Sequence, residues 1–164
     1  MIDWILRLPK ELAVLIVGAL PVFELRGAIP LGFYLKMPLF KTVILSVTGN
    51  LLPIIPILFF LQPVSEILRK FPLWNKFFEW LFERTKRKSD IIQRYEAIGL
   101  AVFVAIPLPI TGAWTGAVAA SLFKIKFRYA FAAIVAGVII AAVLVSCLCL
   151  FGIFSYKAIF PNIN

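Results

Sequence analysis

Two ionisable side chains sit in the middle of an apolar stretch. Glu24 and Arg26 lie between Ala13 and Leu35, where every other residue except Tyr34 is apolar, Gly or Pro. An ionised side chain at the centre of a hydrocarbon layer costs at least ~2.5–3.5 kcal/mol. Two of them imply either that they pair with each other or that something crossing the layer uses them. The available chemistry is a carboxylate that takes up and releases a proton and a guanidinium that holds an anion. A second polar patch, Thr111, Gly112, Trp114, Thr115 and Gly116, follows Pro107 and Pro109. Broken helix ends present unpaired N–H groups with a positive dipole, suited to phosphate or carboxylate. Asn50, in another apolar stretch, adds a hydrogen-bonding amide. The expected substrate and proton pathway is therefore Glu24, Arg26, Asn50, Thr111, Gly112, Trp114 and Thr115.

Other chemistries find little support. The chain has no histidine, which removes imidazole catalysis and imidazole metal sites. Cys147 and Cys149 point about 200° apart on a helix, so one metal ion cannot easily use both; they read as small buried thiols. No nucleophile–base pair stands out, so neither enzyme activity nor a cofactor is expected.

The elements that position these residues must be membrane helices. Of 164 residues, 62% are hydrophobic, and the mean hydropathy is +0.99. Soluble domains are about 45–50% apolar, and one this small cannot hide the excess. Four apolar stretches appear: Ala13 to Leu35, Thr42 to Leu61, Ala97 to Phe123, and Tyr129 to Phe154. Each is long enough to cross a bilayer at about 20 residues per helix. The second carries Pro53 and Pro56 and is expected to kink. The first and third are interrupted by Pro21 and Pro30, and by Pro107 and Pro109. Proline removes a backbone donor and clashes with the preceding turn. Irregular backbone at membrane depth survives only inside protein or beside water, so both stretches read as re-entrant hairpins.

The two halves resemble each other. Ala19-Leu20-Pro21 matches Ala105-Ile106-Pro107, Phe40-Lys41 matches Phe127-Arg128, and Gly49 matches Gly137, all in the same order. The expected fold is an all-α integral membrane protein. It is one membrane domain over 1–164, built as an inverted repeat of two re-entrant helical hairpins, each followed by a transmembrane helix. The first half covers 11–62, an amphipathic linker 63–95, and the second half 96–155. In the linker, Trp74, Phe77, Phe78 and Leu81 share one helical face. Asp90 and Gln93 suit a capping box opening the next helix. The N-terminal segment, with Asp3 and with Pro9, Lys10 and Glu11 ahead of the apolar run, does not read as a cleaved leader.

The net charge is +9. Arg84, Lys86, Arg87 and Lys88 cluster between apolar stretches, where they suit anionic lipid headgroups rather than nucleic acid. With re-entrant hairpins, the side holding residues 64–96 and 124–128 carries 11 Lys/Arg and the other side 5. The expected location is the cell membrane, multi-pass, with 64–96 cytoplasmic and both termini outside. Fully crossing hairpins would give the same count with the termini inside.

Three segments carry a family resemblance: Pro21-Val-Phe-Glu-Leu-Arg-Gly-Ala-Ile-Pro30, Gly49-Asn50, and Pro107-Leu-Pro-Ile-Thr-Gly-Ala-Trp-Thr-Gly116. With them the chain, from about residue 11 to 155, resembles the small multidrug export family, related to the DedA/VTT membrane-protein superfamily. The resemblance implies two re-entrant hairpins facing each other. It also implies proton-coupled transport of a small molecule, or movement of a polyprenyl phosphate or phospholipid, and a homodimer. Glu24 occupies the place of an acidic residue that relatives use in the first hairpin. Relatives also use arginines in the second half. The second hairpin here has none, and the nearest basic residues are Lys124, Lys126 and Arg128.

Overall fold

The computed structural model describes residues 8–60, 90–107 and 111–159. Within them the chain is all-helical, in the order α1 (Lys10–Ala19), α2 (Glu24–Tyr34), α3 (Leu39–Leu51), α4 (Asp90–Ala105), α5 (Ala113–Leu122) and α6 (Phe127–Ile159). The amphipathic linker, the Arg84, Lys86, Arg87 and Lys88 cluster, Pro109 and Trp4 lie outside the described residues.

Two helices are long and apolar enough to cross a membrane, Leu39–Phe60 and Phe127–Ile153. Only 28% and 39% of these spans are buried. A soluble core helix would be mostly covered. Here Phe59, Phe60, Leu148 and Phe151 are exposed, the pattern of a lipid-facing surface. Cys147 is exposed and Cys149 half-buried, contrary to the expectation of buried thiols: the outward face of α6 replaces a protein core there.

Pro21 and Pro107 stand at real interruptions. Leu20, ahead of Pro21, takes an extended conformation (φ −76°, ψ 134°), the geometry a following proline ring imposes. α1 therefore ends at Ala19. Its counterpart α4 ends at Ala105, two residues before Pro107. Pro53 interrupts the first long span, where a turn at Leu52 and Pro53 separates α3 from a helical stretch over 54–60. Pro30 behaves otherwise: α2 runs through it to Tyr34. Pro30 is exposed; the helix does without the N–H that would have donated to the Arg26 carbonyl, and no break forms.

α1 and α2 fold back on each other. Lys10, the first residue of α1, donates from Nζ to the Leu35 carbonyl just past the end of α2 (3.0 Å). Lys41 in the first turn of α3 donates to Glu11 (2.7 Å). Three helix ends thus meet on one side, and the α1–α2 break lies at the far tip of the pair.

The two halves share local structure. α2 closes with Met37 N–H bonded to the Gly32 carbonyl and Lys36 N–H to Phe33, and α5 closes with Ile125 to Ala120 and Lys124 to Ser121. Both are Schellman turns. In each the left-handed residue is a lysine, Lys36 (φ 55°) and Lys124 (φ 53°). The span packing also corresponds. A Cβ at Gly49 would overlap the Leu15 carbonyl, and one at Gly137 would meet the Ala101 carbonyl. α1 therefore lies against α3 as α4 lies against α6, each pair brought close at glycine, with Gly18 against the Ser46 carbonyl a second such point between α1 and α3. The larger core joins both halves through Leu25, Ile29, Ile54, Val104, Ala113 and Ile134.

Candidate functional site

The site lies where the two breaks meet. α5 starts without a capping side chain of its own, since its N-cap is Gly112. Its first N–H groups need an acceptor. Glu24 supplies one from the other half of the chain: its Oε1 accepts the Trp114 N–H at 3.2 Å, and the Ala113 amide also bears on the carboxylate. Gly112 permits this approach, because a Cβ there would overlap the carboxylate. Glu24 itself holds a positive φ of 47°. Such geometry costs a non-glycine residue roughly 1–2 kcal/mol and needs surrounding contacts to persist. Glu24 is 7% exposed.

Arg26 reaches across the same junction. Its Nη2 donates to the Thr111 carbonyl and stands 3.9 Å from Glu24 Oε2. The pair is loose, and the guanidinium holds the second break through a backbone carbonyl. Trp114 ties the junction from the other direction, with Nε1–H donating to the Ala19 carbonyl (3.2 Å) at the end of α1.

Asn50 comes to the same place on α3. It is 1% exposed and lines a crevice with Glu24, Arg26, Pro107, Gly112 and Ala113. Its Oδ1 finds no hydrogen-bond partner among the described residues. The free volume in the crevice is about 10 Å³, room for roughly one water molecule. In this conformation the site is closed to any larger substrate.

Of the residues expected from sequence, Glu24, Arg26, Asn50, Gly112 and Trp114 converge, and Thr111 joins through its carbonyl. Thr115 does not: its hydroxyl bonds the Gly112 carbonyl in its own turn (3.2 Å), and the residue faces outward. The Thr111 hydroxyl likewise turns to the Ile106 carbonyl. The expectation of free N–H groups near Thr111 to Trp114 is corrected, since Glu24 occupies the Trp114 amide. Sequence reasoning also missed Thr42 and Ser46, which are buried two turns and one turn before Asn50 with unpartnered hydroxyls among the described residues. Their i, i+4, i+8 spacing with Asn50 was a readable signal.

The fold and this junction define a helical membrane protein with charged groups enclosed between two broken helices. The family described as "Putative small multi-drug export protein" matches residues 24–144, most of the chain, and the protein belongs to that family. No curated protein matches the chain, and no solved structure does.

Proposed function

We propose that the protein is a multi-pass transporter of the cell membrane that couples a small amphipathic molecule, or a lipid such as a polyprenyl phosphate or phospholipid, to protons. The observation that carries this reading is the enclosed Glu24 carboxylate at the meeting point of the two breaks. A buried acid between separable elements titrates only when they open, which is what alternating access requires. In this reading residues 1–164 are one membrane domain and an inverted repeat. The α1–α2 and α4–α5 pairs are re-entrant hairpins. The Lys10–Leu35 contact, the paired lysine turns and the matching glycine contacts support it. Residues 64–96 lie in the cytoplasm, with Arg84, Lys86, Arg87 and Lys88 at anionic headgroups, and both termini lie outside. The protein works as a homodimer.

A second reading is export of small cationic drugs, with substrate and proton competing for Glu24. The family description favours it. Proteoliposomes with an imposed pH gradient separate the two. Under the first reading, short-chain fluorescent phosphatidic acid moves with the gradient; under the second, ethidium does. Both require loss of flux in Glu24→Gln. Equal flux in wild type and variant would remove Glu24 from the mechanism.

A further inference from the structure

Resting on the transporter reading, we infer that the Glu24 carboxylate is a resident stand-in for the substrate's anionic group. It occupies the α5 N-terminus, and an incoming oxyanion takes that place only when Glu24 is protonated. Proton and anion then travel together, in the same direction.

Three observations carry this. First, the carboxylate fills the position that a helix N-terminus offers an anion, beside the Arg26 guanidinium and in the space left by Gly112. Two anions cannot share that position. Second, Asn50 Oδ1 is a buried acceptor on the same crevice with no donor among the described residues. An acceptor beside a carboxylate is unmatched; beside a carboxylic acid it receives the O–H. Asn50 therefore offers, on the crevice it shares with Glu24, an acceptor that only the protonated form of the acid can satisfy. Third, no other described charge competes. Glu24 apart, Arg26 is the one charged side chain among the described residues lining the crevice. α3 contributes Asn50, α4 Val104, and α6 Val138, Ala141 and Val145, all uncharged. A cationic group entering here meets Arg26 and the positive end of α5, so the site's chemistry selects an oxyanion: phosphate, sulfonate or carboxylate.

The test is binding in detergent micelles by titration calorimetry from pH 5 to 8. The probes are methanesulfonate and decyl sulfonate, whose charge is constant over that range. Decyl sulfonate reports an amphipathic headgroup and methanesulfonate a free anion. In wild type, the affinity of at least one probe rises about tenfold per unit fall in pH, with one proton taken up per anion. Buffers of different ionisation enthalpy give that count without any variant. In Glu24→Gln the affinity is flat with pH and no proton is taken up. Binding by wild type without proton uptake, or no binding of either probe at any pH, overturns the inference. Proton-driven ethidium flux that needs Glu24, alongside absent sulfonate binding, would leave the transporter reading standing while this one falls.

Discussion

Replacing Gly112 with alanine tests the junction most directly. The new methyl group occupies the position of the Glu24 carboxylate. The nearest atoms to it are all those of the carboxylate, so the side chain must withdraw. Withdrawal loses the charge-assisted bond from the Trp114 N–H, a loss of about 1.5–3 kcal/mol. Gly112→Ala should therefore destabilise the protein by more than about 1.5–3 kcal/mol in reversible unfolding in mixed detergent micelles, because the backbone at φ 159° also strains any residue with a Cβ. The decisive comparison is the same substitution in a Glu24→Ala background. With no carboxylate in the way, the cost should fall by about 1.5–3 kcal/mol, a coupling of the size expected for residues in direct contact; what remains is the strain of an alanine at the φ of 159° that Gly112 holds. Equal cost in both backgrounds would refute the contact and the capping role built on it.

Gly49→Ala and Gly137→Ala each press a methyl onto a carbonyl of the neighbouring helix and should cost about 1–3 kcal/mol in the same assay; Gly99→Ala and Gly152→Ala meet nothing within 4 Å and should be neutral or gain up to about 1 kcal/mol. Trp114→Phe keeps the ring and loses the bond to the Ala19 carbonyl, costing about 0.5–1.5 kcal/mol. Lys36→Gly and Lys124→Gly relieve left-handed lysines and should each stabilise by about 0.5–1 kcal/mol, whereas valine at either position destabilises. The hydrogen bond from Lys41 holds the exposed Glu11 carboxyl below the usual carboxylate range. Its small stabilising effect is therefore present above that range and disappears as the pH falls through the lowered value. Glu11→Gln should remove this acid-side slope from a plot of melting temperature against pH.

Much of the architecture was legible because prolines act locally. Pro21 fixes Leu20 before it in an extended form and α1 ends there, and α4 ends just ahead of Pro107. Pro30 has the same chemistry and is exposed like Pro21, yet α2 runs through it; the flanking residues do not tell the two prolines apart. The site was legible as a set of residue types and much less as a set of contacts. Glu24 and Arg26 announce themselves by charge in an apolar run. Their partners are the Trp114 amide and the Thr111 carbonyl, backbone groups that every residue possesses. No side-chain pattern distinguishes them. Thr115 was expected beside Thr111 by sequence proximity, but one further residue of helical rotation carries it to the outer face.

The polar ties at the junction have a consequence for how the chain assembles. Arg26 to Thr111, Glu24 to Trp114 and Trp114 to Ala19 all run from one half to the other. Each half leaves its own break unfinished and supplies the missing donor or acceptor to its counterpart. A half expressed alone would carry an uncapped α5 or an unanswered Glu24 into the lipid. The halves are therefore complements, closer to two subunits joined by a linker than to two independent repeats. A half-length chain of this kind would have had to find a second copy before it could close.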